Sequence, residues 1–252
     1  MNNNELSPQN VIVTGASGQL GSEVCKKLIN RNFNVIATDI KPPKQNIDKV
    51  DYYFFDARDL EKKADFYEKV KKKYSAIDIL INNLGVAVFS NFEDRTEEEF
   101  DFVMDINIKS TFFEIQNFVK LFDNKKLKKA SIVNIASIFG VVSPDYRNYT
   151  DLARKSSEVY GASKAAIIQL TKYFAVHLAG RNIAVNCVSP GGIYNPENPQ
   201  GQDFIKNYSF RTPLNRMATV EEVTEAIMFF CCCESKYITG QNIVVDGGLT
   251  SW

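Results

Sequence analysis

The stretch Val11-Ile12-Val13-Thr14-Gly15-Ala16-Ser17-Gly18-Gln19-Leu20-Gly21 constrains the fold most. A short β-branched run that meets glycine at once reads as a strand buried in a parallel sheet, and Val24, Leu28 and Ile29 beyond it repeat at helical spacing. Strand, glycine turn and helix together form the arrangement in which unpaired backbone N–H groups at a helix N-terminus face a pyrophosphate. Glycines at 15, 18 and 21 permit the tight turn and the close approach. A chain that begins this way calls for a sheet whose ligand crevice lies at the carboxyl ends of its strands.

The rest of the chain keeps the alternation. Strands are predicted at Phe33–Thr38, Tyr52–Phe55, Ile77–Ile81, Ser131–Ala136, Ile183–Val188 and Asn242–Val245. Between them come a charged helix through Lys73, whose lysines read as a solvated face, and a long amphipathic helix from Thr96, an N-cap with Glu99 three residues on, through Val119. A third runs from Tyr160 to Gly180, its C-terminal stop, and another starts near Thr219. The fold class is α/β: a single Rossmann-type domain over 1–252, with a doubly wound parallel sheet of about seven strands and helices on both faces. Tyr194 to Phe210, rich in Asn, Pro, Gln and Gly, reads as a mobile lid within a substrate loop at about 191–217.

Composition narrows the partners. With 30 Lys+Arg against 30 Asp+Glu there is no global field to attract nucleic acid or an anionic membrane surface, so a small molecule is expected instead. Met1 to Asn10 is polar and no segment reaches about 18 apolar residues, which predicts a soluble, cytoplasmic protein. The cysteines number five, three of them the run Cys231-Cys232-Cys233, which reads as small apolar packing near a helix end. His177, the sole histidine, reads as a helix-surface residue, and no metal site is expected.

Five further positions carry chemistry. Tyr160 and Lys164 stand four apart on one helical face, where the lysine cation favours the phenolate and lowers a threshold that normally lies at about 10. The same spacing also fits an aromatic ring packed beside a solvated lysine stem. Ser137 closes the fifth strand, so its hydroxyl either faces the crevice or caps a turn. Asn107 sits mid-helix, where asparagine is unfavourable, and is either a tolerated surface residue or a functional one that disturbs the helix locally. Asp39, 18 residues past Gly21, can bind a ribose diol and would repel a 2′-phosphate, which favours NAD(H) over NADP(H), with Lys41 as a counter-signal.

Taken in order, the glycine turn, Asp56, Asn82-Asn83-Leu84-Gly85, Asn107, Ser137, Tyr160-x-x-x-Lys164, Pro190-Gly191 and Asp246-Gly247-Gly248 resemble the short-chain dehydrogenase/reductase family from Val11 to Trp252. The resemblance implies Tyr160 as acid/base, Lys164 on the nicotinamide ribose, Ser137 on the substrate oxygen and Asn107 anchoring a proton-relaying water. It implies cofactor contacts from Gly15, Ser17, Gly18, Gln19, Leu20, Gly21, Asp39, Asp56, Ala57, Asn83, Gly85, Pro190, Gly191 and Ile193, and a homo-oligomer, dimer or tetramer. Leu84 replaces the family's usual alanine, Asn195 stands where a threonine often binds cofactor, and the Ser137 to Tyr160 gap is longer than usual. That gap, with Ser143-Pro144-Asp145-Tyr146-Arg147-Asn148-Tyr149, resembles members of bacterial surface-carbohydrate pathways. Arg147, Arg154 and Arg211 are candidates for bidentate contact to an anionic sugar derivative, or are ordinary surface charge. The expected activity is NAD(H)-dependent interconversion of a secondary alcohol and a ketone. The alternatives are a sugar epimerase or dehydratase that uses NAD transiently, and a non-catalytic dinucleotide sensor.

Overall fold

A computed structural model describes residues 8–122, 129–149, 155–233, 235 and 237–252. Seven parallel strands form one sheet: β1 (Asn10–Thr14), β2 (Asn34–Asp39), β3 (Val50–Phe54), β4 (Ile79–Asn82), β5 (Ala130–Ile135), β6 (Ile183–Pro190) and β7 (Asn242–Val245). Their order is β3-β2-β1-β4-β5-β6-β7, so the winding reverses between β1 and β4 and opens a crevice at the carboxyl edge. Among the described residues the α-helices are α1 (Gln19–Asn30), α2 (Leu60–Lys73), α3 (Glu97–Met104), α4 (Ser110–Leu121), α5 (Glu158–Leu178), α6 (Gln202–Arg211) and α7 (Val220–Cys232).

Successive residues of a buried strand serve opposite faces. Val11 and Val13 of β1 join a core with Val24 and Leu28 of α1 and Ile227 of α7, whereas Ile12 between them joins Phe66 of α2, Phe118 of α4 and Leu178 of α5. Both faces are therefore covered. This is the single Rossmann-type domain expected from the alternation.

The elements depart from expectation in instructive ways. The long helix from Thr96 has the expected capping box with Glu99, but a π-helical turn, Asp105–Lys109, divides it into α3 and α4. Asn107 lies in that turn and is buried, so of its two readings the surface one is excluded. Gly180 does not end the helix alone; a 3-10 turn extends to Arg181 and the left-handed residue is Asn182, φ 60°. The lysines of α2 are not all solvated, since Lys63 is fully buried against Glu114. Tyr194 to Phe210 is not irregular throughout, because α6 begins within it at Gln202. Cys231 is buried and Cys232 exposed at the end of α7, and His177 is exposed. No described helix is long and apolar enough to cross a membrane.

Candidate active site

The glycine turn takes the shape its spacing requires. Gly15 adopts φ +64°, where a side chain would be strained, and a Cβ there would come within 2.9 Å of the Leu84 Cα. A Cβ on Gly21 would overlap the Gly15 carbonyl oxygen, so α1 packs directly on the turn. Gly18 caps α1 and is exposed; its added Cβ would meet nothing closer than the Gly15 carbonyl at 3.5 Å. The turn is thus tight where it faces the protein and open on its outer side, which fits a pyrophosphate at the α1 N-terminus.

Side chains fasten this turn. Asp39, ending β2, accepts the Ser17 N–H at 2.9 Å and the Ile40 N–H at 2.7 Å, and the Ser17 hydroxyl donates to the Lys41 carbonyl at 2.8 Å. Asn83 donates to the carbonyls of Thr14, 3.1 Å, and Gly15, 2.9 Å, so its amide braces the turn. Asp56 is engaged by Arg58, whose Nη2 donates to Oδ2 at 2.6 Å, whose Nε lies 3.1 Å from both oxygens and whose backbone N–H donates to Oδ1 at 2.9 Å. A narrow cavity of about 40 Å³ lies between Gly15, Asp39, Asp56, Ala57 and Leu84. Leu84 thus lines this cavity.

Ser137, Tyr160 and Lys164 converge. Ser137 lies two residues beyond the end of β5, is buried, and accepts the Phe139 N–H at 3.2 Å, so it both caps a turn and faces the crevice. Tyr160 and Lys164 lie on the first turns of α5, whose N-cap is Ser157, and the Lys164 Nζ stands 5.7 Å from the phenol ring centre. That Nζ donates to the Ile135 carbonyl at 3.0 Å, and a Cβ on Gly85 would press to 2.9 Å from it. Asn107 accepts the Val86 N–H at 2.8 Å and donates to the Val86 carbonyl at 3.0 Å and the Ser163 hydroxyl at 2.9 Å. It therefore ties the segment after Gly85 to the α5 turn that carries Lys164.

The electrostatics differ from the sequence reading. Burial raises the Tyr160 pKa above the ordinary tyrosine value, and a hydrogen bond from Ser137 pulls it back only in part. Burial also lowers Lys164 to about 8. Lys164 does not depress the phenol threshold in the protein alone; desolvation of both groups outweighs their proximity.

Two cavities meet at these side chains. One, about 200 Å³, is lined by Leu20, Asn83, Gly85, Lys164, Pro190 and Ile193; the other is about 550 Å³, and the two share Ser137, Tyr160, Gly191 and Ile193. Ile193 bridges to Ala218 through the amide of Tyr194 and the carbonyl of Gly192, which turns its own N–H and C=O the other way. The larger cavity is walled by the rings of Tyr149, Phe204 and Tyr208, by Met217, and by the amides of Asn195 and Gln200, with no charged side chain among its described lining. Among the described residues Gln200 Oε1 is buried without a partner, and the Tyr208 hydroxyl accepts the Gly192 N–H at 2.6 Å. The sequence reading missed these wall residues. Phe204 and Tyr208 stand four apart, which was the available signal, and their rings stack at 5.7 Å.

Arg147 and Arg211 are brought together, though not here. Both pair with Asp145, Arg147 at 2.7 Å, beside a separate cavity that adjoins the larger one through Ile138, Phe139 and Tyr208. Arg154 lies outside the described residues.

Known proteins resemble the chain over nearly its whole length. The family model described as Enoyl-(Acyl carrier protein) reductase matches residues 15–250. The 3-oxoacyl-[acyl-carrier-protein] reductase of Thermotoga maritima is 35% identical over 94% of this chain and 96% of its own length. A short chain dehydrogenase from Leptospira borgpetersenii with bound NAD+ superposes with a TM-score of 0.90 at 37% identity, covering 97% of this chain and 94% of that one. The aldohexose dehydrogenase of Thermoplasma acidophilum gives 0.85 at 25% identity, covering 98% and 96%. ElxO with NADP bound gives 0.82 at 25%, covering 97% and 100%. The chain belongs to the short-chain dehydrogenase/reductase family. It is an oxidoreductase that acts on an alcohol or its carbonyl counterpart with a nicotinamide dinucleotide.

Proposed function

We propose that the protein uses NAD(H) to interconvert a secondary alcohol and a ketone on an uncharged, polyhydroxylated small molecule of the sugar type. One observation carries the reading: the cavity that meets Ser137 and Tyr160 is walled by aromatic rings and uncharged amides, with the Gln200 oxygen lacking a donor among the described residues. Aromatic faces cover the C–H faces of a sugar ring, amides take its hydroxyls, and a buried acceptor without a donor favours a ligand that brings one.

The dinucleotide, when bound, supplies the hydride acceptor or donor. Ser137 donates to the reacting oxygen, and Tyr160 takes the hydroxyl proton in oxidation or returns it in reduction. Lys164 holds the nicotinamide ribose and supplies the positive charge that the buried phenolate requires, while Asn107 positions the Lys164 turn through Ser163. The open turn Gly15, Ser17, Gly18, Gln19, Leu20, Gly21 receives the pyrophosphate, and Asn83 braces it. Asp39 accepts the ribose hydroxyls and repels a 2′-phosphate. Pro190, Gly191 and the Ile193 backbone border the nicotinamide.

A second reading, reduction of a 3-oxoacyl thioester, draws on the Thermotoga relative. An acyl carrier is acidic or phosphorylated, and no Lys or Arg lines the described cavity to meet it. The exposed side chains Phe112 of α4 and Tyr173 and Val176 of α5 lie where two copies can pack, so a dimer or tetramer is expected by light scattering.

The deciding experiment is a panel of free sugars, sugar phosphates and 3-oxoacyl thioesters, each with NAD(H) and NADP(H), followed by absorbance of the reduced cofactor. Higher kcat/KM for a free sugar with NAD supports the proposal. Exclusive turnover of the phosphorylated or thioester compounds overturns the substrate class.

A further inference from the structure

The narrow cavity at the adenosine end has one wall that no motif assigns. Besides Gly15, Asp39, Asp56 and Ala57 it is lined by Glu114 of α4. The Glu114 side chain is 4% exposed, and its Oε1 lies 2.8 Å from the fully buried Nζ of Lys63 on α2. Lys63 also donates to the Ser110 hydroxyl at 2.9 Å and carbonyl at 3.2 Å, while the Tyr67 hydroxyl donates to Glu114 Oε2 at 2.5 Å. The carboxylate is thus fixed in place and its charge neutralised.

Packing alone does not call for such a pair. Two charges withdrawn from water lose hydration that their attraction only roughly restores, and apolar side chains of similar volume would hold α2 to α4 as well. What a carboxylate adds to a cavity wall is acceptor capacity. A carboxylate offers about four acceptor positions, of which Lys63 and Tyr67 engage one on each oxygen of Glu114. The other candidate, Asp56, is already saturated: each of its oxygens takes two contacts from Arg58.

We propose that Glu114, held by Lys63 and Tyr67, is the specificity residue that accepts a hydrogen bond from the exocyclic amine of adenine and so selects a 6-aminopurine over a 6-oxopurine dinucleotide. The inference rests on the dinucleotide reading of the crevice but not on the substrate. A 6-oxo group would set acceptor against acceptor at this wall, which costs affinity that a merely structural ion pair would not withhold.

The test is calorimetric binding of NAD and of nicotinamide hypoxanthine dinucleotide, without substrate. Wild-type protein is expected to bind NAD at least about 10-fold more tightly than the hypoxanthine form. In the paired variant Lys63→Met/Glu114→Leu, which leaves no buried charge unmatched, that ratio should fall to within about 2-fold, and Glu114→Gln, whose amide can donate to a 6-oxo group, should shift it the same way. Circular dichroism checks that each variant is folded, and Glu114→Gln keeps the test decisive if the paired variant is not. A ratio unchanged in a folded variant, or equal affinities in the wild type, overturns the proposal alone. Failure of the wild type to bind either dinucleotide overturns the cofactor reading with it.

Discussion

The turn at Gly15–Gly21 and the segment Gly192–Met217 border the same crevice, joined where Gln19 Nε2 donates to the Tyr194 carbonyl at 2.8 Å, but they are built by different means. The turn is backbone-made: Gly15 and Gly21 are confined by main-chain contacts, and Asp39 and Asn83 merely fasten it. The other side is side-chain-made, a wall of Phe204, Tyr208, Met217 and Gln200 hung on the short helix α6. A backbone site accepts one phosphate geometry and varies little; a side-chain wall can be rebuilt residue by residue. Cofactor and substrate should therefore respond to different substitutions.

That contrast breaks most visibly at Asp39. On the proposed reading Asp39→Ala removes a charge that opposes a 2′-phosphate, so the ratio of kcat/KM with NAD to kcat/KM with NADP should fall by about 10- to 100-fold with the substrate KM unchanged. A preference that does not move would take Asp39 out of the cofactor site.

The pH profile tests the chemical junction between the two sides. Because burial raises the Tyr160 pKa, the protonated phenol dominates at neutral pH. Alcohol oxidation, which needs the phenolate, should rise about 10-fold between pH 7 and 9, while carbonyl reduction, which needs the phenol, should stay nearly level. Above about 8 the Lys164 cation is itself lost in the protein alone, so the oxidation limb should bend over at high pH. Stopped initial rates in both directions check the sign; parallel profiles would contradict it.

On the substrate side the effects are smaller. Gln200→Leu should raise the KM for a polyhydroxylated substrate about 5-fold and leave dinucleotide affinity alone. Arg211→Gln should change kcat/KM for an uncharged substrate by less than about 2-fold, since Arg211 is paired to Asp145 outside the cavity. A large Arg211 effect confined to phosphorylated substrates would restore the anionic reading.

The same division decided what could be read in advance. The run Val11–Val13, the glycine turn and the Tyr160, Lys164 and Ser137 positions are local patterns whose backbone demands are written in the residues themselves. Asn107 was only half legible, since asparagine inside a helix left a surface and a functional reading open, and the π turn with its bonds to Val86 and Ser163 decides between them. α6 was hidden because Pro196, Pro199 and Gly201 precede it, although Phe204, Ile205 and Tyr208 hold helical spacing. The remainder is tertiary. Nothing local in a lysine-rich helix singles out Lys63, and nothing in a loop arginine says that Asp145 will take both Arg147 and Arg211.

The most direct measurement is the turnover of Tyr160→Phe, followed as reduced dinucleotide, beside its dinucleotide affinity by calorimetry. The ring stays and only the oxygen goes, so kcat should drop by about 1,000-fold while the dissociation constant for NAD stays within about 3-fold. A variant that turns over at the wild-type rate with intact cofactor binding would contradict the assignment of proton transfer to this phenol.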